Sequence, residues 1–494
     1  MAKFLIGCLD YSRRTGMPVF LQTLSRELIK RGHEVIITAP QVGLDAEIPQ
    51  YTFNEIDTQP LDYSPDFLIL NEPQSTWLLK KYPNTPAFNI IHSPRECDAP
   101  ITDYCQVRKF IAVKQEDYDF CLSKGVPESK LRRINIPIDF DYFKPQFRYK
   151  NRWDIGSIST LDDLRRPMLL ALIEQAKKGK KVLIAGYNHG ALGDLDQYKH
   201  IKNLTIVAQE INDVRPYIAQ CKQVAGILAG TITAEAWAMG KGTMVYDFKG
   251  NLITRSKEPP IERMDYNVKN VVDNFLNIVN EVEADIIIPH HNRKDMLAKL
   301  LPSIPKVGFN IIVADYGGWF AKNCNEGARR AITDNLIFCN DDIIIQYPQT
   351  LWSMLDNPVD LVGCATVFPD GRPQWYGLGL KYIDGKISYY MAETKAEALM
   401  PSGGFFRVKK DCFWNAGKPD YSGFDEEYIN GGEDQDLSLC AMSKGATVDF
   451  CSIPVIHHLS QSEGRFKHCD VNEDRERKKW LDNIPRLRKI FDFI

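Results

Sequence analysis

The sequence predicts an α/β protein built on parallel sheets. Short apolar runs of strand length alternate with stretches of helical period for most of the chain. That alternation is interrupted near 140–153 and starts afresh, then does so again at 284. With 494 residues, 44% hydrophobic and 25% charged, the chain has room for three soluble domains of ordinary size.

The elements follow in order. "KFLIGCL" and "HEVIITAP" read as strands on either side of the helix "PVFLQTLSRELIKRG", whose Phe20, Leu21, Leu24 and Leu28 share one face. Gly32 falls where that helix needs a C-terminal cap. Further strands are predicted at "DFLIL", "AFNIIH" and "KFIAV". The aromatic and basic stretch "FDYFKPQFRYKNRW" marks the first break. Beyond it come "DIGSIS", the helix "RPMLLALIEQAKKG", "KKVLIAG", "NLTIVAQ", "AGILAG", the helix "TAEAWAMG" and "GTMVYDF". A helix at "NVVDNFLNIVNEVE" precedes the third start, "ADIIIPHHNR". The predicted domains are 1–145, 146–282 and 283–494.

Bulk properties exclude some classes. A net charge of −3 demands no nucleic-acid partner, and the basic runs "RYKNR" and "RERKKW" read as solvated faces. No run of ~18 apolar residues is present, which predicts no transmembrane helix. The N-terminal apolar run is too short for a signal peptide, and the twelve cysteines form no CxxC pair. Reduced thiols and a cytoplasmic location are expected.

"FCNDDIIIQYP", at 338–348, carries the first chemical signal. The strand "NLIFC" ends in Asn340, Asp341 and Asp342, where an α/β sheet binds its ligands. Two carboxylates there suit a hard divalent cation, manganese or magnesium. Such a cation would neutralise a diphosphate leaving group.

Around this element lie, in order, "DIIIPHHNR", "IIVADYGGWFAKNCNEGARRAI", "PSGGFFRVKKDCFWNAG", "GFDEEYINGGEDQDLSLCAMSKG" and "VIHHLSQS". The series resembles glycosyltransferase family 2, of GT-A fold, over roughly 284–465. The resemblance implies a donor loop at 289–293 with Pro289, Asn292 and Arg293, and a nucleotide contact at Asp315. It places Asn325 in the donor site and Asn340 in the metal-binding element. Asp342 becomes the main metal ligand, with Asp341 and His457 assisting; Ser460 stands where the family has glycine. "GEDQDL" implies a catalytic base, Asp434 or its neighbour Glu433, since a carboxylate beside the acceptor hydroxyl can take its proton.

The first 282 residues have another look. "TGMPVFLQTLSRELIKRGHEVIITAP", "FIAVKQEDYDFCLSKGVPESKLRRINIPIDFDYFKP" and "TITAEAWAMGKGTMVYD" together resemble glycosyltransferase family 4, a GT-B pair of Rossmann-like domains. That likeness implies Gly16 near the donor, Glu235 on a ribose, and Thr231 and Thr233 opening a helix whose amides hold diphosphate. Arg165 or Arg166 would replace the usual basic pair, and His92 would meet the acceptor. Ile227 stands where the family's first glutamate belongs. The expectation is a transferase using a nucleotide-diphosphate sugar, with UDP as the nucleotide. Its second module would be metal-dependent and inverting, and its first half either a retaining transferase or a binding scaffold. A glycan, a lipid-linked sugar, a protein or a hydroxymethylated DNA base all remain open as acceptor.

Overall fold

The computed structural model describes residues 1–58, 63–146, 148–228, 230–256, 263–383, 386–416, 423–458 and 469–491; Ser460 lies outside them. They form two compact units, Met1–Val279 and Asn280–Ile494.

The first unit contains two sheets. One has strands β1 (Lys3–Gly7), β2 (Glu34–Ala39), β3 (Gln50–Thr52), β4 (Phe67–Leu70), β5 (Ala87–Ile91), β6 (Val107–Ala112) and β7 (Leu131–Arg133), in the order β3-β2-β1-β4-β5-β6-β7. All of its pairings are parallel. The central strands β4, β5 and β6 are buried along their whole length, as strands covered on both faces must be. The helix Gly16–Lys30 links β1 to β2, and Gly32 follows it with φ +83°, a left-handed position that suits glycine.

The second sheet has β8 (Trp153–Ile158), β9 (Val182–Ala185), β10 (Leu204–Val207), β11 (Cys221–Ile227), β12 (Gly242–Tyr246) and β13 (Leu252–Ser256), in the order β10-β9-β8-β11-β12-β13. Its parallel set ends in an antiparallel edge, β12 with β13. β11 begins four residues before the predicted "AGILAG", because Cys221 and Gln223 pair with β8. The helix Val268–Val279 follows this sheet in sequence but packs back on the first one. Phe275 lies 6.0 Å from the ring of Phe4, and Arg31 Nη1 binds Asp273 at 2.5 Å.

The second unit carries β14 (Ala284–Pro289), β15 (Phe309–Ala314), β16 (Asn335–Cys339), β17 (Ile343–Ile344), β18 (Leu361–Val367), β19 (Pro373–Trp375), β20 (Gly377–Ile383), β21 (Lys386–Ala392), β22 (Phe405–Lys409) and β23 (Val448–His457). Its main sheet runs β15-β14-β16-β22-β18-β23-β17, with β19 on β18 and a separate β20-β21 hairpin. The expectation of a parallel sheet needs correcting here: β22 is antiparallel to both β16 and β18. Arg407 pins β22 in place. It is 1% exposed and donates to the carbonyls of Met354, Asn357 and Val359, so its charge is spent on the end of the helix Pro348–Asp356.

Phe338, two residues before Asn340, is fully buried and touches Phe406, Phe413 and Phe424 at ring distances of 5.3, 5.1 and 5.1 Å. Phe338→Ala should therefore cost the second unit about 3–5 kcal/mol. Guanidinium unfolding checks this, and unchanged midpoints for every transition would show that the aromatic cluster does not hold the end of β16.

Candidate functional site

In the second unit the residues after β14 and β16 and the last residue of β23 converge. His290 Nδ1 lies 2.9 Å from Asp341 Oδ2, and Arg293 Nη2 lies 3.0 Å from Asp341 and 3.3 Å from Asp342. Burial raises the carboxyl of Asp341, against the hydrogen bond from His290 and the charge of Arg293. His457 Nε2 faces Asp342 Oδ1 at 3.6 Å. β17 creates this approach, since Ile343 pairs with His457 directly after the acidic pair. Gln374 fixes the imidazole: its Oε1 is 3.1 Å from His457 Nδ1, and its amide donates to the His457 carbonyl at 3.0 Å. A histidine held through Nδ1 presents Nε2, as metal-binding histidines commonly do.

The "PSGG" turn brings in the acid of "GEDQDL". Asp434 Oδ2 accepts the amide of Gly403 at 2.6 Å, while Gly404 O accepts the amide of Asn340 at 2.8 Å. A Cβ on Gly403 would stand 3.0 Å from the Asp434 carboxylate, and one on Gly404 would reach Asn340 and His457. Asp434 is half-buried, whereas Glu433 is buried and binds the amide of Gly431 at 2.6 Å. Asp436, the last acid of the motif, is fully buried; Trp480 Nε1 and Lys479 hold it at 2.6 and 2.8 Å.

Other predicted positions differ in what they face. Pro289 ends β14, Asn292 adopts φ +57°, and Asp315 is exposed just past β15. Asn325 does not line an open site. It is 1% exposed, and its amide is committed to both backbone groups of Phe424, each at 2.9 Å. It braces the segment before "GEDQDL".

Among the described residues, no group of three or more His, Cys, Asp or Glu is arranged to hold a metal ion. Asp342 and His457 are two donors of suitable chemistry. Two protein ligands suit magnesium or manganese sites whose shell is completed by substrate phosphate and water, and do not suit a closed cage.

In the first unit the carboxyl ends of the two sheets border a cleft of about 780 Å³. From the first sheet come Asp10, Arg13, Arg14, Gly16, Glu72, His92 and Lys114; from the second come Arg165, Tyr187, His189, Ile227, Thr231 and Glu235. His92 Nε2 lies 3.1 Å from Asn71 Oδ1, and burial, with Lys114 adding to it, pushes its imidazole down to about 3. It is therefore a neutral hydrogen-bonding group. Burial lifts Glu72 to about 7 although Leu9 N donates to it. Glu235 is 2% exposed and accepts from Arg14 Nη2 at 2.5 Å; burial, its largest influence, raises its carboxyl to about 7.

Three predicted residues are placed otherwise. Arg166 is exposed and lies outside the cleft lining, because it starts the helix Arg166–Lys177. Thr233 is fully buried, and its hydroxyl donates to Gly230 O at 2.6 Å. Arg165 does line the cleft, but with its guanidinium on Asp162. Arg14 was not foreseen, because its partner lies 221 residues away.

No protein-family model matches the sequence, and no curated protein matches it either. Solved structures do resemble it. A glycosyltransferase from Rickettsia africae ESF-5 matches at 13% identity and a TM-score of 0.43, over 56% of this chain and 97% of its own. Anabaena HepE in complex with UDP and glucose matches at 13% identity and 0.39, over 56% and 90%. An alpha-glucosyltransferase in complex with UDP and a 13-mer DNA containing a HMU base matches at 13% and 0.39, over 50% and 80%. Likeness at this level carries nothing about the chemistry of this chain. Among the described residues, no helix is long and apolar enough to cross a membrane.

The C-terminal segment that anchors Asp436 contains a titrating group. Glu476 is buried and accepts from Tyr428 at 2.9 Å and from Tyr389; burial dominates and raises it to about 7. A raised carboxyl favours the folded state below the unfolded value, and that advantage is lost as pH climbs through about 7. Glu476→Gln should flatten the fall in second-unit stability between pH 5 and 8 by on the order of 3 kcal/mol. Denaturant midpoints across that range test it, and parallel pH profiles for the two proteins would refute it.

Proposed function

We propose that this chain is a glycosyltransferase that moves a sugar from a nucleotide-diphosphate donor, UDP-linked, to an acceptor hydroxyl, with the transfer carried out by a GT-A-like second unit. The observation that carries the reading is the Gly403–Gly404 turn. Gly403 donates to Asp434 while Gly404 accepts from Asn340, next to the acidic pair, which supports reading Asp434 as the proton acceptor of a site whose cation would be held by Asp342 and His457.

The chemistry is a single displacement. Asp434 takes the proton from the acceptor hydroxyl as its oxygen bonds to the anomeric carbon. On the opposite face the bond from that carbon to the diphosphate oxygen breaks, so the configuration inverts. A divalent cation held by Asp342 and His457 would spread the charge of the departing diphosphate. Arg293 carries a fixed positive charge at the same edge, and Gln374 keeps His457 oriented. His290 restrains Asp341.

The first unit is proposed to be a GT-B-shaped nucleotide-sugar cleft. Ile227 in its lining and the Arg165–Asp162 pair favour binding over a second, retaining transfer. A glycan hydroxyl is the acceptor class proposed first, with a hydroxymethylated DNA base as the alternative.

Purified full chain should release nucleotide from a UDP-sugar in the presence of manganese or magnesium. Asp342→Ala and Asp434→Asn should each lower turnover by at least ~10²-fold, with Asp434→Asn leaving donor affinity nearly unchanged. Full activity in either variant sinks its assigned role. Residual transfer in Asp342→Ala that disappears on adding Glu235→Ala would make the first unit a second transferase.

A further inference from the structure

The loop after β1 reaches across the first cleft and is clasped on the far side at three points. Arg13 lies over the ring of Tyr187, 4.7 Å to the centroid, and 3.5 Å from His189 Nε2. Thr231 donates to Gly16 O at 3.3 Å. Arg14 binds Glu235 at 2.5 Å, with their side chains 15% and 3% exposed.

These contacts differ in kind. Arg13 stacks on a half-exposed tyrosine, so its charge stays near water. Arg14 and Glu235 are withdrawn from water together, and Arg14 is the main charge that offsets the burial of Glu235. Asp213 acts on both of them but is itself held by Arg215 at 2.9 Å. Arg165, the arginine that the second sheet contributes to the cleft lining, is held by Asp162. Arg14 is thus the arginine whose present partner is also the acid expected to meet a ribose.

A ligand that takes hydroxyl bonds from Glu235 and offers nothing to Arg14 strands a buried cation. A ligand that offers only an anion to Arg14 strands a buried carboxylate. Either half-exchange is strongly unfavourable. A nucleoside diphosphate brings both groups, and both charges keep a partner.

We propose that Arg14 receives the diphosphate of a nucleoside diphosphate in the first cleft, and that the Arg14–Glu235 pair is a two-part selectivity gate which opens only to ligands carrying a ribose and a diphosphate together. This rests on the reading of the first cleft as a nucleotide site. Arg14 is then a positioning and specificity residue delivered from the first sheet, in place of a basic pair on the second.

The test is calorimetry on the full chain carrying Asp342→Ala, in EDTA, so that cation-assisted binding in the second unit is removed. The probes are UDP, ADP, GDP and dTDP, their nucleosides, and inorganic diphosphate. With Arg14 intact, the preferred nucleoside diphosphate should bind at least ~100-fold tighter than its nucleoside or inorganic diphosphate. Arg14→Gln should weaken the diphosphate by ~10- to 100-fold and leave the nucleoside unchanged or tighter, so that the preference collapses. Arg14→Lys, which keeps the charge, should retain part of it and guards against a folding artefact. Equal loss of diphosphate and nucleoside in Arg14→Gln, or no loss of either, overturns the gate. If no diphosphate binds while Arg14 is intact, the nucleotide reading of the cleft fails, and the gate with it.

Discussion

The candidate transfer site depends on the Gly403–Gly404 turn, which is bonded to Asp434 on one side and to Asn340 on the other. A sheet end can present acids, and a helix N-terminus can present another, but β16 and the helix Glu433–Met442 are separate elements. Gly403 lets its amide reach Asp434, and Gly404 lets its carbonyl reach Asn340. A methyl group at 403 would stand 3.0 Å from the carboxylate, closer than most real contacts. The rest of the second unit stiffens the two sides of this joint. Phe338 and its aromatic partners hold β16, Gln374 holds His457, and Asp436 with Trp480 and Lys479 holds the helix.

The first unit solves a different problem. Its cleft lies between the carboxyl ends of two sheets. Arg14 and Glu235 join the halves in a setting too dry for either to stand alone. His92, held neutral by burial, and Glu72, whose carboxyl burial raises, line the first sheet's side beside Arg13, Arg14 and Lys114.

Much of the scaffold was legible in the sequence. Strands such as β1, β5, β14 and β16 are continuous apolar runs bounded by turn residues, and burial on both faces demands such runs. The end of β16 was legible because its apolar run stops at three polar residues. The antiparallel β22 was not, because its direction is set by pairing with β16 and β18, which lie about forty to seventy residues earlier in the chain. Asn325, Thr233 and Arg166 show the limit of motif reading. A motif fixes where a residue falls in sequence, and only the fold decides whether its polar atoms are already committed. Gln374 and Arg14 escaped notice for the converse reason: their partners lie 83 and 221 residues away.

The central claim is that Asp342 and His457 form an incomplete cation site that a diphosphate completes. Manganese electron paramagnetic resonance on the full chain, with and without UDP, tests it most directly. The account predicts weak manganese binding by the protein alone, marked tightening when UDP is added, and loss of that tightening in His457→Ala. Tight manganese binding that ignores both UDP and His457 would contradict it.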